Sequence, residues 1–184
     1  MISKLRIIGG EWRSRQIVFE DAPGLRPTPA RVRETLFNWL QADIANSCCL
    51  DLFAGSGALG FEAASRGARQ VLQVENNPKS CQMLRENSTV LRATQIAVVQ
   101  MDVALFIQQC QEKFDVIFLD PPFGQGLVEP ICQQLQSAGL VATYGKIYLE
   151  TERKLSLQGL PDNWLQLKDK VAGEVRYSLY QNRK

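Results

Sequence analysis

From Cys48 onward, short apolar segments alternate with longer amphipathic ones, and this alternation constrains the fold more than any other feature of the chain. The apolar segments predict strands and the amphipathic segments predict helices. Apolar strands joined by helices are typical of a parallel sheet that is covered on both faces. The predicted strands are 48–53, 71–75, 96–101, 114–119 and 146–150, and the predicted helices are 58–66, 77–92, 103–111 and 126–137.

The last part of the chain has a different pattern. Segments 164–171 and 174–180 flank Ala172-Gly173, and this arrangement predicts an antiparallel hairpin. We therefore expect an α/β fold with a doubly wound, mostly parallel seven-stranded sheet that is Rossmann-like and ends in an antiparallel hairpin.

Residues 1–42 predict a small N-terminal extension, and residues 43–184 predict the main domain. Short strands at 5–8 and 15–19 flank two glycines, so a β-hairpin is expected. A helix over about 29–42 follows, with Thr28 suited to the N-cap and a proline at the first helical position. Its apolar face is predicted to consist of Val32, Leu36, Trp39 and Leu40.

Composition excludes several kinds of chemistry. The 184 residues include no histidine, which removes Ser-His hydrolysis, histidine general bases and histidine-ligated zinc. The five cysteines lack the spacing of a metal knuckle, so we expect free thiols in a reducing compartment and no bound metal. The chain contains neither a run of about 18 apolar residues nor the apolar core of a signal peptide, and we expect a cytoplasmic monomer without a membrane span.

Charge is distributed unevenly along the chain. Residues 1–40 and 151–184 each hold seven Lys/Arg against four Asp/Glu, whereas residues 41–150 hold seven against eleven. Basic ends around an acidic middle indicate either a polyanionic partner or an ordinary solvated surface.

Glycines follow the first strand of the main domain, in the segment Asp51–Gly57. Gly55 and Gly57 permit a tight turn and the close approach of a ligand to the backbone. The same pattern fits several nucleotide cofactors, NAD included, and also a plain turn. Glu75 ends the next strand and suits a ribose diol. Asp102 follows the third strand, where it suits either an adenine amino group or a helix N-cap.

The fourth strand ends in Asp120-Pro121-Pro122-Phe123, the most specific signal in the chain. The two prolines make the turn rigid, because each fixes φ and restricts the residue before it. The Asp120 carboxylate and the Pro121 carbonyl then form two acceptors in fixed geometry, and Phe123 is placed to stack on a flat ring.

Asp51 separates the cofactor hypotheses. A carboxylate beside the glycine loop would repel the pyrophosphate of a dinucleotide. It suits S-adenosylmethionine, which carries a sulfonium and an ammonium group.

In these motifs the chain resembles the class I S-adenosylmethionine-dependent methyltransferases. It resembles the bacterial RsmD family more closely, in the segments Arg6–Gly10, Arg13–Arg15, Gly24–Thr28, Val32–Trp39 and Val171–Val175. The resemblance implies methyl transfer to the exocyclic 2-amino group of one guanine, guanine 966, in the 16S rRNA of the small ribosomal subunit.

The resemblance also implies the site residues. Asp120, Pro121, Pro122 and Phe123 would hold the target base. The cofactor contacts would be Thr28, Asp51, Phe53, Gly55, Ser56, Gly57, Glu75, Asn76, Asp102, Val103 and Asp120. Independently of the resemblance, the basic residues of the N-terminal segment predict RNA contacts at Arg6, Arg13, Arg15 and Arg26. Trp12 beside them either stacks on a base or covers the core, and we favour the core.

Other functions remain open at this point. An amino-methyltransferase acting on DNA adenine or cytosine, or on a protein glutamine, would use a similar tetrapeptide. An NAD-dependent oxidoreductase and a catalytically silent RNA-binding module belong to other classes. Asp51 disfavours the oxidoreductase, and the intact motif at Asp120 disfavours the silent module.

Overall fold

The computed structural model describes residues 2–21 and 27–184. Its strands are β1 (Ile2–Arg6), β2 (Gln16–Glu20), β3 (Cys48–Leu52), β4 (Gln70–Glu75), β5 (Ile96–Gln100), β6 (Phe114–Leu119), β7 (Val141–Glu152), β8 (Trp164–Ala172) and β9 (Val175–Asn182). Its helices are α1 (Ala30–Trp39), α2 (Ala58–Ser65), α3 (Pro78–Leu91), α4 (Val103–Gln109) and α5 (Val128–Ser137).

One seven-stranded sheet organises the molecule, in the order β5-β4-β3-β6-β7-β9-β8. The first five strands in this order are parallel, and β9 pairs antiparallel with both β7 and β8. The predicted fold class is therefore confirmed. From β3 the chain adds β4 and β5 on one side and then crosses over to add β6 and β7 on the other side. At such a switch point a crevice opens between the carboxyl ends of the two central strands, here β3 and β6, and ligands bind there.

The N-terminal segment forms a two-stranded hairpin, β1–β2, as predicted, but with shifted bounds. Its turn side chains Ile7 and Trp12 are buried, together with Ile17, in the same apolar cluster as residues of the central sheet. The structure thus places Trp12 in the core. The boundary at residue 42 stays a prediction, although the extension and the sheet share this cluster.

Strand β7 is longer than predicted, since it begins at Val141 rather than at residue 146. The register against β6 shifts between Phe114 and Val116, and Tyr144 has a positive φ of 62°. The irregular backbone around Tyr144-Gly145 lies directly before residue 146, where the sequence predicts the strand to begin. Helix α5 begins at Val128 rather than at residue 126.

Strand β8 is one outer edge of the sheet. After its first residue the strand is exposed to solvent, and its exposed apolar side chains are Leu165, Leu167 and Val171.

All five cysteines are free thiols. Within residues 2–21 and 27–184, no helix is long and apolar enough to cross a membrane.

Candidate active site

Acidic residues lie at the carboxyl ends of five consecutive parallel strands. In sheet order they are Asp102 after β5, Glu75 on β4, Asp51 on β3, Asp120 after β6 and Glu150 on β7. Because parallel strands end at one edge of the sheet, these side chains share the crevice edge. The structure thereby brings together all four acidic residues that the sequence predicted and adds Glu150.

The loop after β3 has the backbone that its glycines predict. Gly55 and Gly57 have φ values of 53° and 78°, and Gly57 is the N-cap of α2. Phe53 also has a positive φ, 59°, although it is not a glycine. Strained backbone of this kind is concentrated at ligand sites, where the surrounding structure enforces it.

Glu75 closes this loop from β4. Its Oε2 accepts a hydrogen bond from the Gly55 amide at 2.9 Å, and its Oε1 accepts one from the Asn77 amide at 2.8 Å. A carboxylate has about four lone-pair positions, so two acceptor positions remain for ligand hydroxyls. The ribose contact predicted for Glu75 therefore stays compatible with its position.

Asp51 is buried beneath the loop. Its Oδ2 accepts hydrogen bonds from the Gly60 amide at 3.0 Å and from Gln73 Nε2 at 3.4 Å. Burial raises the pKa of Asp51 to about 7, against the lowering effect of these two donors. Asp51 therefore supports the loop and the start of α2, and it places negative charge below the crevice.

Asp102 is the N-cap of α4, because its Oδ1 accepts a hydrogen bond from the Leu105 amide at 3.1 Å. The N-cap interpretation is confirmed, and the adenine contact stays a prediction. Of the other predicted cofactor contacts, Ser56 and Val103 are buried and Asn76 is exposed.

The Asp120 motif differs from the other acidic positions. Among the described residues, neither the Asp120 carboxylate nor the Pro121 carbonyl accepts a hydrogen bond, so both acceptors are available. Burial raises the pKa of Asp120 well above its ordinary value, and the charges of Glu150 and Asp51 raise it further. The Phe123 side chain, 42% exposed, projects from the same turn.

Glu150 was not singled out from the sequence. Its Oε1 accepts hydrogen bonds from Thr28 Oγ1 at 2.9 Å and from the Tyr148 hydroxyl at 2.7 Å, and all three side chains are buried. Thr28 thus lies beside the acidic edge, as the family resemblance implies. The prediction that Thr28 is the N-cap of α1 is wrong, because Pro29 holds that position and the Thr28 hydroxyl bonds Glu150 instead. Thr28 and Glu150 are 122 residues apart, so no local pattern could have revealed the pair.

The charge of the crevice tests which cofactor fits. Within the described residues, Asp51, Asp120 and Glu150 form no ion pair with lysine or arginine. Buried carboxylates without cationic partners favour a positively charged ligand and disfavour a pyrophosphate. The residues present therefore fit S-adenosylmethionine rather than NAD.

The predicted RNA contacts separate into three groups. Arg6 and Arg13 line a groove of about 670 Å³ between the hairpin and the start of α1, and Thr28 lies in its wall. Arg15 instead donates a hydrogen bond to the Val90 carbonyl on α3, at 2.9 Å. Arg26 lies outside the described residues.

A buried ion pair joins this groove to α2. Arg33 Nη1 contacts Glu62 Oε2 at 3.2 Å, and both side chains are at most 2% exposed. Arg33 also donates hydrogen bonds to the Arg6 and Thr28 carbonyls, while Glu62 accepts from the Ile8 and Gly9 amides. The pair therefore connects the hairpin, α1 and the helix that follows the glycine loop.

Several solved structures with a similar fold are named as methyltransferases. The yhhF protein of Escherichia coli has a TM-score of 0.88 and 43% identity, and the match covers 98% of each chain. The 16S rRNA N2 G1207 methyltransferase (RsmC) of T. thermophilus, solved with AdoMet and guanosine, has a TM-score of 0.69 over all of this chain and 50% of its own. At 21% identity, RsmC shows likeness of fold alone. The fold and the loop after β3 define a Rossmann-like class I methyltransferase.

Sequence comparison then gives the family. Residues 5–181 match the family described as Conserved hypothetical protein 95. Ribosomal RNA small subunit methyltransferase D of Escherichia coli (strain K12) is 45% identical over 178 residues, 97% of this chain and 90% of the relative. Its namesake from Haemophilus influenzae is 44% identical over 183 residues, 97% and 94% of the two chains. The chain belongs to the family of ribosomal RNA small subunit methyltransferase D, the RsmD family, which confirms the resemblance carried by its motifs.

Proposed function

We propose that this protein transfers a methyl group from S-adenosylmethionine to the exocyclic 2-amino group of a guanine in 16S rRNA, by family resemblance guanine 966. The observation that carries the proposal is the pair of free acceptors, the Asp120 carboxylate and the Pro121 carbonyl, at a crevice of uncompensated negative charge. The names of the 44–45% identical relatives support ribosomal RNA as the substrate.

The cofactor site lies along the carboxyl ends of β3, β4 and β5. Glu75 would hold the ribose hydroxyls, Asp102 the adenine amino group, and the turn at Gly55 would lie against the ligand. Thr28 would border the methionine end. When bound, S-adenosylmethionine supplies an electrophilic methyl group on a positively charged sulfur.

Asp120 and Pro121 orient the amino group that receives the methyl. The lone pair of an exocyclic amino nitrogen is conjugated with the ring and is therefore a poor nucleophile. Two hydrogen bonds from the amino group to Asp120 and Pro121 favour a more tetrahedral nitrogen and fix its direction of approach, which lowers the barrier by positioning. The target base must leave its stack to reach this turn, and Phe123 would replace the lost stacking contact.

The groove beside the hairpin supplies the positive charge for the RNA backbone. Replacing both Arg6 and Arg13 with glutamine is expected to weaken RNA binding and to reduce the slope of log K against log salt by about 1.4, because two phosphate contacts are lost from a single strand. Filter binding between 50 and 200 mM salt, in the range where such slopes are resolved, measures this change. Lys113→Gln, which lies directly before the amino end of β6 and does not line this groove, should leave the slope unchanged. An unaltered slope in the double variant would exclude this groove as the RNA surface.

The raised pKa of Asp51 predicts that cofactor binding depends on pH. Below a pKa of about 7 the carboxyl group carries a proton, which a cationic ligand must displace before it gains the full electrostatic attraction. The dissociation constant of S-adenosylmethionine should therefore rise by up to about tenfold for each pH unit below neutral. Calorimetry between pH 5.5 and 7.5 measures this dependence. Asp51→Asn should make it shallower, whereas a flat wild-type profile would contradict the prediction.

The substrate is tested with labelled S-adenosylmethionine and small ribosomal subunits that lack the modification. Mass mapping of the labelled nucleotide is expected to find one methyl group on N2 of a single guanine. Free 16S rRNA in a parallel reaction distinguishes naked RNA from the assembled particle as the substrate. Label on DNA or on a protein glutamine, with none on rRNA, would overturn the proposal.

A further inference from the structure

Glu150 is a buried carboxylate, and a contribution to the stability of the fold does not explain why it is there. It is 4% exposed, and its hydrogen-bond donors are two neutral hydroxyl groups, Thr28 Oγ1 and Tyr148 OH. No lysine or arginine pairs with it in residues 2–21 and 27–184. Burying a carboxylate without a cation costs free energy of folding.

The groups that face Glu150 come from every neighbouring element. Tyr148 lies on its own strand, Tyr177 is its direct partner on β9, and Asp120 follows the adjacent strand β6. The charge of Glu150 raises the pKa of Asp120, and Asp51 raises it further from β3. Burial raises the pKa of Glu150 itself, but the Tyr148 and Thr28 hydroxyls oppose that rise. The neighbouring carboxylates thus raise the pKa of Asp120, whereas at Glu150 the two hydroxyl donors favour the charged form.

We propose that Glu150 is a positioning residue for methyl transfer. Through Thr28 it holds the segment before α1 in place, and from the strand next to β6 it places a carboxylate beside Asp120, the group that receives the proton. This inference rests on the proposed function.

The proton balance of the reaction gives Glu150 this role. The amino nitrogen forms a bond to the methyl carbon as the carbon–sulfur bond breaks, and the electron pair of that bond goes to sulfur. The nitrogen then carries one proton too many, so an N–H bond breaks and an O–H bond forms at Asp120. A carboxylate accepts a proton more readily when its conjugate acid is weaker. The neighbouring charge of Glu150 has this effect on Asp120.

Thr28 joins the same carboxylate to the RNA-facing hairpin. Its carbonyl accepts a hydrogen bond from Arg33 Nε at 3.1 Å, and Arg33 Nη1 donates to the Arg6 carbonyl at 3.1 Å. Arg6 lines the groove proposed for RNA. One chain of hydrogen bonds thus runs from Glu150 to that groove, and it fixes the groove relative to the reacting atoms.

The first test reads Asp120 in the protein without cofactor. Carboxyl ¹³C NMR of aspartate-labelled wild type and Glu150→Gln, with Asp120→Asn to assign the signal, follows its titration. The Asp120 midpoint should fall by about one pH unit or more in Glu150→Gln, because a like charge is removed. Tyr148→Phe should lower the Asp120 midpoint by a smaller amount. Without the Tyr148 hydroxyl the pKa of Glu150 rises, so that Glu150 carries less negative charge beside Asp120. Tyr180→Phe serves as the control, because Tyr180 is also buried but packs in a different apolar cluster from Tyr148. Midpoints that match wild type in both test variants would overturn the inference.

The second test reads turnover. Glu150→Gln should move the acidic limb of the kcat profile to lower pH and lower the maximal kcat by about tenfold or more. Thr28→Val should lower kcat with little change in KM for the RNA, and Thr28→Ser should restore it because it keeps the hydroxyl. Equal losses in valine and serine variants would contradict the role of Thr28. A wild type inactive on ribosomal RNA would refute the proposed function instead, and the NMR midpoints would still decide the role of Glu150.

Discussion

Replacing Asp120 with alanine is expected to lower kcat by about 1000-fold or more while the dissociation constant of S-adenosylmethionine rises by no more than about tenfold, since Asp120 is one of several predicted cofactor contacts. The Asp120 carboxylate is one of the two free acceptors for the amino group, and it is also the proposed proton acceptor. The variant removes both functions. Single-turnover methylation of the ribosomal substrate measures the chemical step, and calorimetry measures cofactor binding.

Two further variants locate the cause of this loss. Asp120→Asn keeps an acceptor oxygen but no basic group, so it should lose less than alanine. Asp115→Ala removes an exposed carboxylate near the other end of the same strand and should keep wild-type turnover. If Asp120→Ala retained a tenth or more of wild-type kcat, the mechanism would be wrong.

The second large effect concerns stability. Arg33→Met should lower the free energy of unfolding by about 2–3 kcal/mol, because the buried Glu62 carboxylate loses Arg33 and keeps only Arg66, at 2.8 Å, as a cationic partner. It also leaves the Arg6 and Thr28 carbonyls without the Arg33 donors. Urea unfolding followed by circular dichroism measures the change.

The neighbouring arginine on the same helix provides a matched control. Arg31 is exposed, so Arg31→Met should change the free energy of unfolding by no more than about 0.5 kcal/mol. Equal losses in the two variants would show that the effect comes from the helix rather than from the buried pair.

The fold could be predicted because its strands are apolar and its turns are marked by glycine and proline. Asp120 could be predicted for a related reason, since two consecutive prolines after a buried strand restrict the backbone to very few conformations. Asp51, Glu75 and Asp102 followed from their positions at strand ends. These signals are all local, and each is contained within a few residues.

The residues that sequence reasoning missed depend on distant partners. Glu150 looks like one more charge at a strand end until Thr28 is brought to it across 122 residues. Arg33 was not singled out either, although it lies three and four residues before the buried Leu36 and Phe37. Residues at this spacing share one face of a helix, so the sequence could have indicated that Arg33 lies on the buried face of α1.

The exposed edge of β8 bears on how the protein behaves at high concentration. An edge strand offers unpaired backbone groups to which another chain can add, and Leu165 and Leu167 would give such pairing an apolar surface. Lys168, Asp169 and Lys170 follow directly on the same strand and discourage a second copy from extending the sheet. Salt weakens repulsion between exposed charges. We therefore expect high salt to favour association between copies of this protein through β8.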